Sequence, residues 1–409
     1  MQPSPRKTTN KLFIYTVRDE TGKTFCGLVE APDPRTIKRN LRSSNLYFVN
    51  ARRYNANTLY KKRVNLETLL MFTHRLYSLI EAGIPILATL NILWRQTEDL
   101  TMQLVASRLI LRIEGGDNLS ESLSEFPNIF SNIYIAMIIV GESGAGLVPL
   151  LRELSQYLEE QKKFISRIKR ATIYPSVVLV FAFLVMMFMF IFVVPTFERV
   201  LRTVNVETPI VTQILIALSN MIRTVYFPIV ALLAVVGGFY LFRYFKTVPA
   251  FSRLLDRLKL KIPVLGEIIF TLILARFTRT LALLTGAGLQ IIRSLDIAKT
   301  TVDNSVIHSA IDEVEEQISQ GVSLYNAFKS MSVFPVIMLE MVGIAEQKGN
   351  ISMAFAKLAN HFDEKADYLL NRFLLLLEPL LIIVVGGIVG FILIGVYLPI
   401  FSIWKGFLN

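Results

Sequence analysis

FTHRLYSLIEAGIPI, residues 72–86, returns at residues 277–291 as FTRTLALLTGAGLQI. Phe72 faces Phe277, Ala82 faces Ala287 and Gly83 faces Gly288, all 205 residues apart. Gly116 and Leu119 stand against Gly321 and Leu324 at that same offset. The register slips around Phe126-Pro127 and Phe334-Pro335, then settles at 204, where Gly141 and Glu142 face Ala345 and Glu346, Pro175 faces Pro379 and Phe197 faces Phe401. Chance composition does not hold a register over such a distance, so the chain is one unit used twice.

Each copy runs into an apolar stretch. Residues 176–194 carry no charge over 19 residues, about 28 Å of helix at 1.5 Å per residue, which matches a hydrocarbon core of about 30 Å. A second uncharged stretch covers 224–242, and a third runs from 379 to 398. With 53% hydrophobic residues and a mean hydropathy of +0.50, the 409-residue chain is too apolar for an ordinary soluble protein. A formal charge of +11 would suit a nucleic-acid binder, but the basic residues crowd beside the apolar stretches, where the positive-inside rule accounts for them without a polyanion. Lys162, Lys163, Arg167, Lys169 and Arg170 precede the first span, Arg243 and Lys246 follow the second, and Lys365 and Arg372 precede the third, which only Lys405 follows. The helical blocks are therefore expected in the cytoplasm and the C-terminus outside, with the two copies as parallel rather than inverted repeats. No cleavable signal peptide is expected, because MQPSPRKTTNK leads into a strand pattern.

The expected fold is mainly α: a polytopic membrane protein with two repeated cytoplasmic six-helix bundles, three transmembrane helices and a small N-terminal α+β (ββαβ) unit. Its parts are the α+β domain over 1–54, a linker over 55–65, a first helical domain over 66–173, a span over 174–195, an outer loop over 196–223, a span over 224–243, a second helical domain over 244–377, a span over 378–400 and an outer tail over 401–409. LFIYTVRD and TFCGLVEA alternate around a DETGK turn, APDPRTIKRNLRSS reads as a helix entered through Pro34, and LYFVNARRY closes as a strand. A unit of about 45 residues is marginal alone and should dock on something larger.

The inventory of chemistry is short. A single Cys26 excludes an intramolecular disulfide, and His74, His308 and His361 lie too far apart for an HExxH site. No catalytic residue, cofactor site or metal ligand set is expected. GESGAG, residues 141–146, lacks the lysine of a phosphate loop and carries Glu142 where an anion would be repelled, so it reads as a helix-to-helix turn. The remaining candidates are structural or partner-contact positions. Gly83 and Gly288 suit left-handed caps between paired helices, and Gly141 sits in the turn. Glu142 and Glu346 either bond open backbone groups at that turn or touch a partner. Pro175 and Pro379 would kink each long helix at its membrane junction. Glu378 lies at the mouth of the third span, where it can snorkel to water. Glu159-Glu160 and Asp363-Glu364 read as solvated faces. A small transporter or channel is the rival from another class; no charge lies deep in any span, and three helices leave little room for a hydrated path.

The pattern F-T-x-x-L-x-x-L followed by A-G, then G-x-x-L, Phe-Pro, G-E-S-G, Tyr-Pro before a span and Val-Pro after it resembles the F-protein family of type II secretion and type IV pilus assembly. ETPIVT at 207–212 is similar to an element of that family's outer loop, and KIPVLG with ARFTRTLALL to the start of its second domain. AEQKGN in place of GESGAG, and Gln290 where Pro85 stands, depart from it. The resemblance implies an inner-membrane platform of a pilus or secretion machine with a cytoplasmic N-terminus. Its implied partners are a cytoplasmic assembly ATPase, pilins or pseudopilins, other inner-membrane assembly proteins, the lipid bilayer and further copies of itself.

Overall fold

The computed structural model describes residues 11–20, 22–41, 47–54, 59–204, 209–224 and 249–407, with isolated positions between 225 and 248. The uncharged stretch at 224–242, expected as the second span, falls largely outside the described residues.

Strands β1 (Lys11–Arg18) and β2 (Thr24–Ala31) form an antiparallel hairpin in which Lys11 pairs with Ala31 and Arg18 with Thr24. Asp19 closes the hairpin by accepting the Lys23 N–H at 2.9 Å. Helix α1 (Pro34–Leu41) starts on a proline whose missing N–H costs nothing there, with Asp33 accepting the Thr36 N–H at 2.7 Å. Strand β3 (Tyr47–Arg53) then pairs with β1, so the sheet order is β2-β1-β3. This leaves β2 as an edge with open backbone groups, a liability unless covered. Helices of the first block cover it, as described below.

The helices follow in chain order: α2 (Leu66–Glu81), α3 (Ile86–Gln96), α4 (Leu100–Glu114), α5 (Leu119–Ser124), α6 (Asn132–Val140), a wide turn at Gly141–Ala145, and α7 (Leu147–Phe188). After a π-turn at Met189–Val193 come α8 (Val194–Val204), α9 (Ile210–Arg223) and α10 (Pro249–Lys261). The second copy is α11 (Leu265–Gly286), α12 (Ile291–Lys299), α13 (Ser305–Ser319), α14 (Leu324–Ser330), α15 (Val336–Lys348) and α16 (Ile351–Phe407). The described residues are thus mostly helical, with one small sheet.

Two compact units contain these elements, one of Met1–Phe164, Arg276–Asp303 and His308–Asn360, the other of Ile165–Ala275, Asn304–Ile307 and His361–Asn409. In the first unit, α4 docks on the open edge of β2. Ser107 Oγ donates to the Leu28 carbonyl at 3.2 Å and accepts its N–H at 2.7 Å, Gln103 Oε1 accepts the Cys26 N–H at 3.1 Å, and Trp94 of α3 donates to the Cys26 carbonyl at 2.7 Å. The edge is therefore paired, only with side chains. Leu284 and Ile297 of the second copy belong to the same buried cluster as Leu76, Leu93, Phe130 and Met137 of the first, and α6 packs against α12. The copies share a core.

In the second unit, Phe190, Val194, Leu215, Ile392 and Val396 form a buried apolar cluster. Within segment 196–223, expected as the outer loop, α8 and α9 occupy most of the positions. In the π-turn the Val194 N–H bonds the Met189 carbonyl five residues back, and the next donor in that register, Pro195, has no N–H. The Phe190 carbonyl takes Ser219 Oγ of α9 instead, at 2.6 Å. Thr212 Oγ likewise donates to the Gly395 carbonyl at 2.7 Å. Two hydroxyls thus hold α9 on the backbones of two apolar helices.

Among the described residues, three stretches are long and apolar enough to cross a membrane: Leu147–Leu201, Leu265–Gly286 and Ile351–Leu398. The middle one reads differently from the others on physical grounds. α11 buries Phe277, Leu281 and Leu284 on one face and carries Arg279, whose guanidinium pairs with Glu160 and bonds Asn360. That is the pattern of a bundle helix.

Candidate functional site

The duplication places one carboxylate at equivalent points of each copy, and both carboxylates face helix starts. The short helices α5 and α14 each begin with open backbone N–H groups. Glu142 accepts the Leu119 N–H at 2.7 Å, the Ser120 N–H at 3.3 Å and Ser120 Oγ at 2.5 Å. Glu346 accepts the Leu324 N–H at 2.7 Å and the Tyr325 N–H at 3.0 Å. A negative group at a helix start is also favoured by the helix dipole. These carboxylates, Glu142 in the wide turn and Glu346 near the end of α15, bond a preceding helix rather than their own segment. The signal in the sequence is that each acid follows a Gly-x-x-Leu turn at almost the same distance. With their oxygens engaged by donors, they act as clamps.

Gly83 and Gly288 have φ of 80° and 92°, the left-handed conformation that glycine alone adopts at no steric cost. Beyond them, the Ile84 N–H reaches the Leu79 carbonyl at 3.1 Å and the Leu289 N–H the Leu284 carbonyl at 3.0 Å, the same helix-ending bond in both copies. Gly141 is there for space: a side chain on it would press on Leu147. The second copy fills that place with the buried Ala345 and ends α15 on Gly349. GESGAG is thus a turn between helices, and Glu142 points away from it.

Other polar groups tie elements together. Tyr134 is buried with its hydroxyl 3.1 Å from Thr73 Oγ1, and burial pushes its phenol up. Lys299 lies 2.8 Å from Glu315, 3.2 Å from Asp296 and 3.3 Å from Asp312, and the bond to Glu315 leads in raising its ammonium above the ordinary lysine range. Arg108 spans Glu30 of β2 and Glu125 after α5, at 2.9 and 3.3 Å. Pro175 and Pro379 lie inside unbroken helices, equally far from the starts of α7 and α16. The Glu378 side chain is exposed on α16. None of these residues gathers into a reactive constellation, and among the described residues no three His, Cys, Asp or Glu side chains are grouped to hold a metal. A cleft of about 210 Å³ beside β2 is lined by Tyr15, Asn91, Trp94, Ser107 and Glu114, but Trp94 and Ser107 there are spent on the strand edge.

The clamps carry a direct expectation. Glu142→Ala and Glu346→Ala should each destabilise the chain by about 1 kcal/mol, the worth of a helix cap, with Gln substitutions costing less. Amide exchange at the starts of α5 and α14 should speed up, and unchanged protection there would contradict the capping role.

The sequence profile described as "Type II secretion system (T2SS), protein F" matches residues 72–195 and 277–399, so the match itself is double. The type IV pilus assembly protein PilC of Thermus thermophilus is 34% identical over 400 residues, covering 96% of this chain and 98% of that protein. PilC of Myxococcus xanthus is 28% identical over 408 residues, covering 98% and 96%. The type II secretion system protein F of Pseudomonas aeruginosa is 26% identical over 399 residues, covering 96% and 98%.

Proposed function

The chain belongs to the type II secretion system protein F family, and from that membership we propose that it is the inner-membrane platform of a type IV pilus or type II secretion machine. The helical blocks stand in the cytoplasm, following the clusters of Lys and Arg at 162–170 and around the other spans. The chain itself carries out no chemistry. A cytoplasmic assembly ATPase supplies the work, and pilins or pseudopilins are the cargo extracted from the bilayer. The observation that carries this reading is helix continuity: α7 runs unbroken from Leu147 to Phe188, and α16 from Ile351 to Phe407. A rod of that kind passes a displacement at one end to the other without loss, because bending it means breaking backbone hydrogen bonds. Pro175 and Pro379 set the angle at the membrane junction of each rod.

Inserting a flexible Gly-Ser segment between Arg170 and Tyr174 tests the coupling. Fibre assembly or secretion should fall to background while the full chain still accumulates in the membrane. Normal assembly with the insert would reject rigid coupling.

A further inference from the structure

α10 buries its aspartate and leaves an apolar row exposed. Its one acid, Asp256, is 6% exposed. The carboxylate accepts Lys259 Nζ at 2.8 Å and the Ser305 N–H at 3.1 Å, while Asn304 donates to the Asp256 carbonyl at 3.2 Å. Burial pushes that carboxyl up, but these bonds outweigh it and hold it below the usual carboxylate range. Fastened in this way to the start of α13, α10 turns Leu254 and Leu258 outward, at 53% and 50% exposed, and Ile262 continues the row at 44%, while Leu255 and Leu260 are half-buried. Each is preceded by a base, as Arg253-Leu254, Arg257-Leu258 and Lys261-Ile262. Dipeptides repeated every four residues put an apolar stripe and a basic stripe side by side along the helix.

The turn after α10 extends the stripe under strain. Val264 has φ of 66°, the one non-glycine positive φ among the described residues, and a β-branched residue is badly placed there. The Leu265 N–H bonds the Pro263 carbonyl across it at 2.8 Å, a γ-turn of the strained hand. The result is that Val264 and Leu265 also stay exposed. A surface meant for water would bury these side chains and expose the aspartate.

We propose that α10 and its following turn lie in the headgroup layer of a bilayer containing anionic phospholipid, with the leucine stripe in the acyl boundary and Arg257 and Lys261 on lipid phosphates. Helices with this pairing of basic and apolar stripes bind such interfaces. The uncharged stretch 224–242 ends 11 residues before Arg253, which keeps α10 within the distance over which flanking bases act on membrane placement. The inference rests on the reading that the chain spans a membrane, and its test separates the two.

The full chain, with Cys26→Ser, is given a nitroxide at Leu258→Cys and reconstituted in vesicles of phosphatidylcholine alone or mixed with phosphatidylglycerol. Access of the label to oxygen is compared with access to a water-soluble nickel chelate. Labels at Phe181→Cys in the first span and Glu313→Cys on α13 serve as lipid and water references. The oxygen-to-nickel ratio at position 258 should rise about fivefold or more in the mixed vesicles, and Arg257→Glu with Lys261→Glu should abolish the rise. A label at 258 that reads water in both vesicles while 181 reads lipid would overturn the proposal and leave the membrane reading standing. Equal ratios in neutral and anionic vesicles would overturn the anionic-lipid recognition. Shielding of 258 from both probes would mean a protein contact and equally reject it, whereas a label at 181 reading water would overturn the membrane reading itself.

Discussion

Leu284→Ala is expected to destabilise the chain by about 2–5 kcal/mol, the range for emptying a fully buried leucine site. Leu284 belongs to the second copy, yet it sits in the buried cluster built mainly from the first. The loss should therefore appear on both sides: faster amide exchange in α6 and in α11, read on the same sample. Its repeat counterpart, Leu79, is only half-buried, so Leu79→Ala should cost clearly less in the same thermal unfolding experiment. Equal losses for the two leucines, or faster exchange confined to α11, would contradict a core shared between the copies.

Gly266→Ala should cost about 3 kcal/mol, the upper part of the range for overpacking. A Cβ on Gly266 would run into the Leu260 carbonyl. That obstacle is backbone, so no rotamer change relieves it. The Gly266 N–H also bonds the Ile262 carbonyl at 2.7 Å, which leaves the turn between α10 and α11 no freedom to open without losing that bond. Gly286→Ala is the matched control, because a Cβ there would meet only Ser352 at 4.0 Å, and alanine is the better helix former. The midpoint of thermal unfolding should drop for Gly266→Ala and hold or rise for Gly286→Ala. A Gly266→Ala chain as stable as the unsubstituted one would show that the turn is not as tight as its geometry requires.

Local features of this protein were legible in its residues alone. The duplication, the glycine-capped hairpins at Gly83 and Gly288, the DETGK hairpin and the long apolar runs each follow from period, run length or one residue's allowed backbone, all properties of neighbouring residues. Folding was needed to decide what the repeated unit does with each copy. Glu142 and Glu346 clamp helix starts some 22 residues behind them, Ser219 of α9 finds the carbonyl that Pro195 leaves open, and Leu284 is buried where Leu79 is not. Asp256 faces inward and Leu258 outward, the opposite of what hydropathy alone assigns. In each case the deciding partner is far away along the chain, and two copies with the same internal pattern meet different surroundings. Periodicity reports which side of a helix is apolar; only the packed chain determines what that side meets.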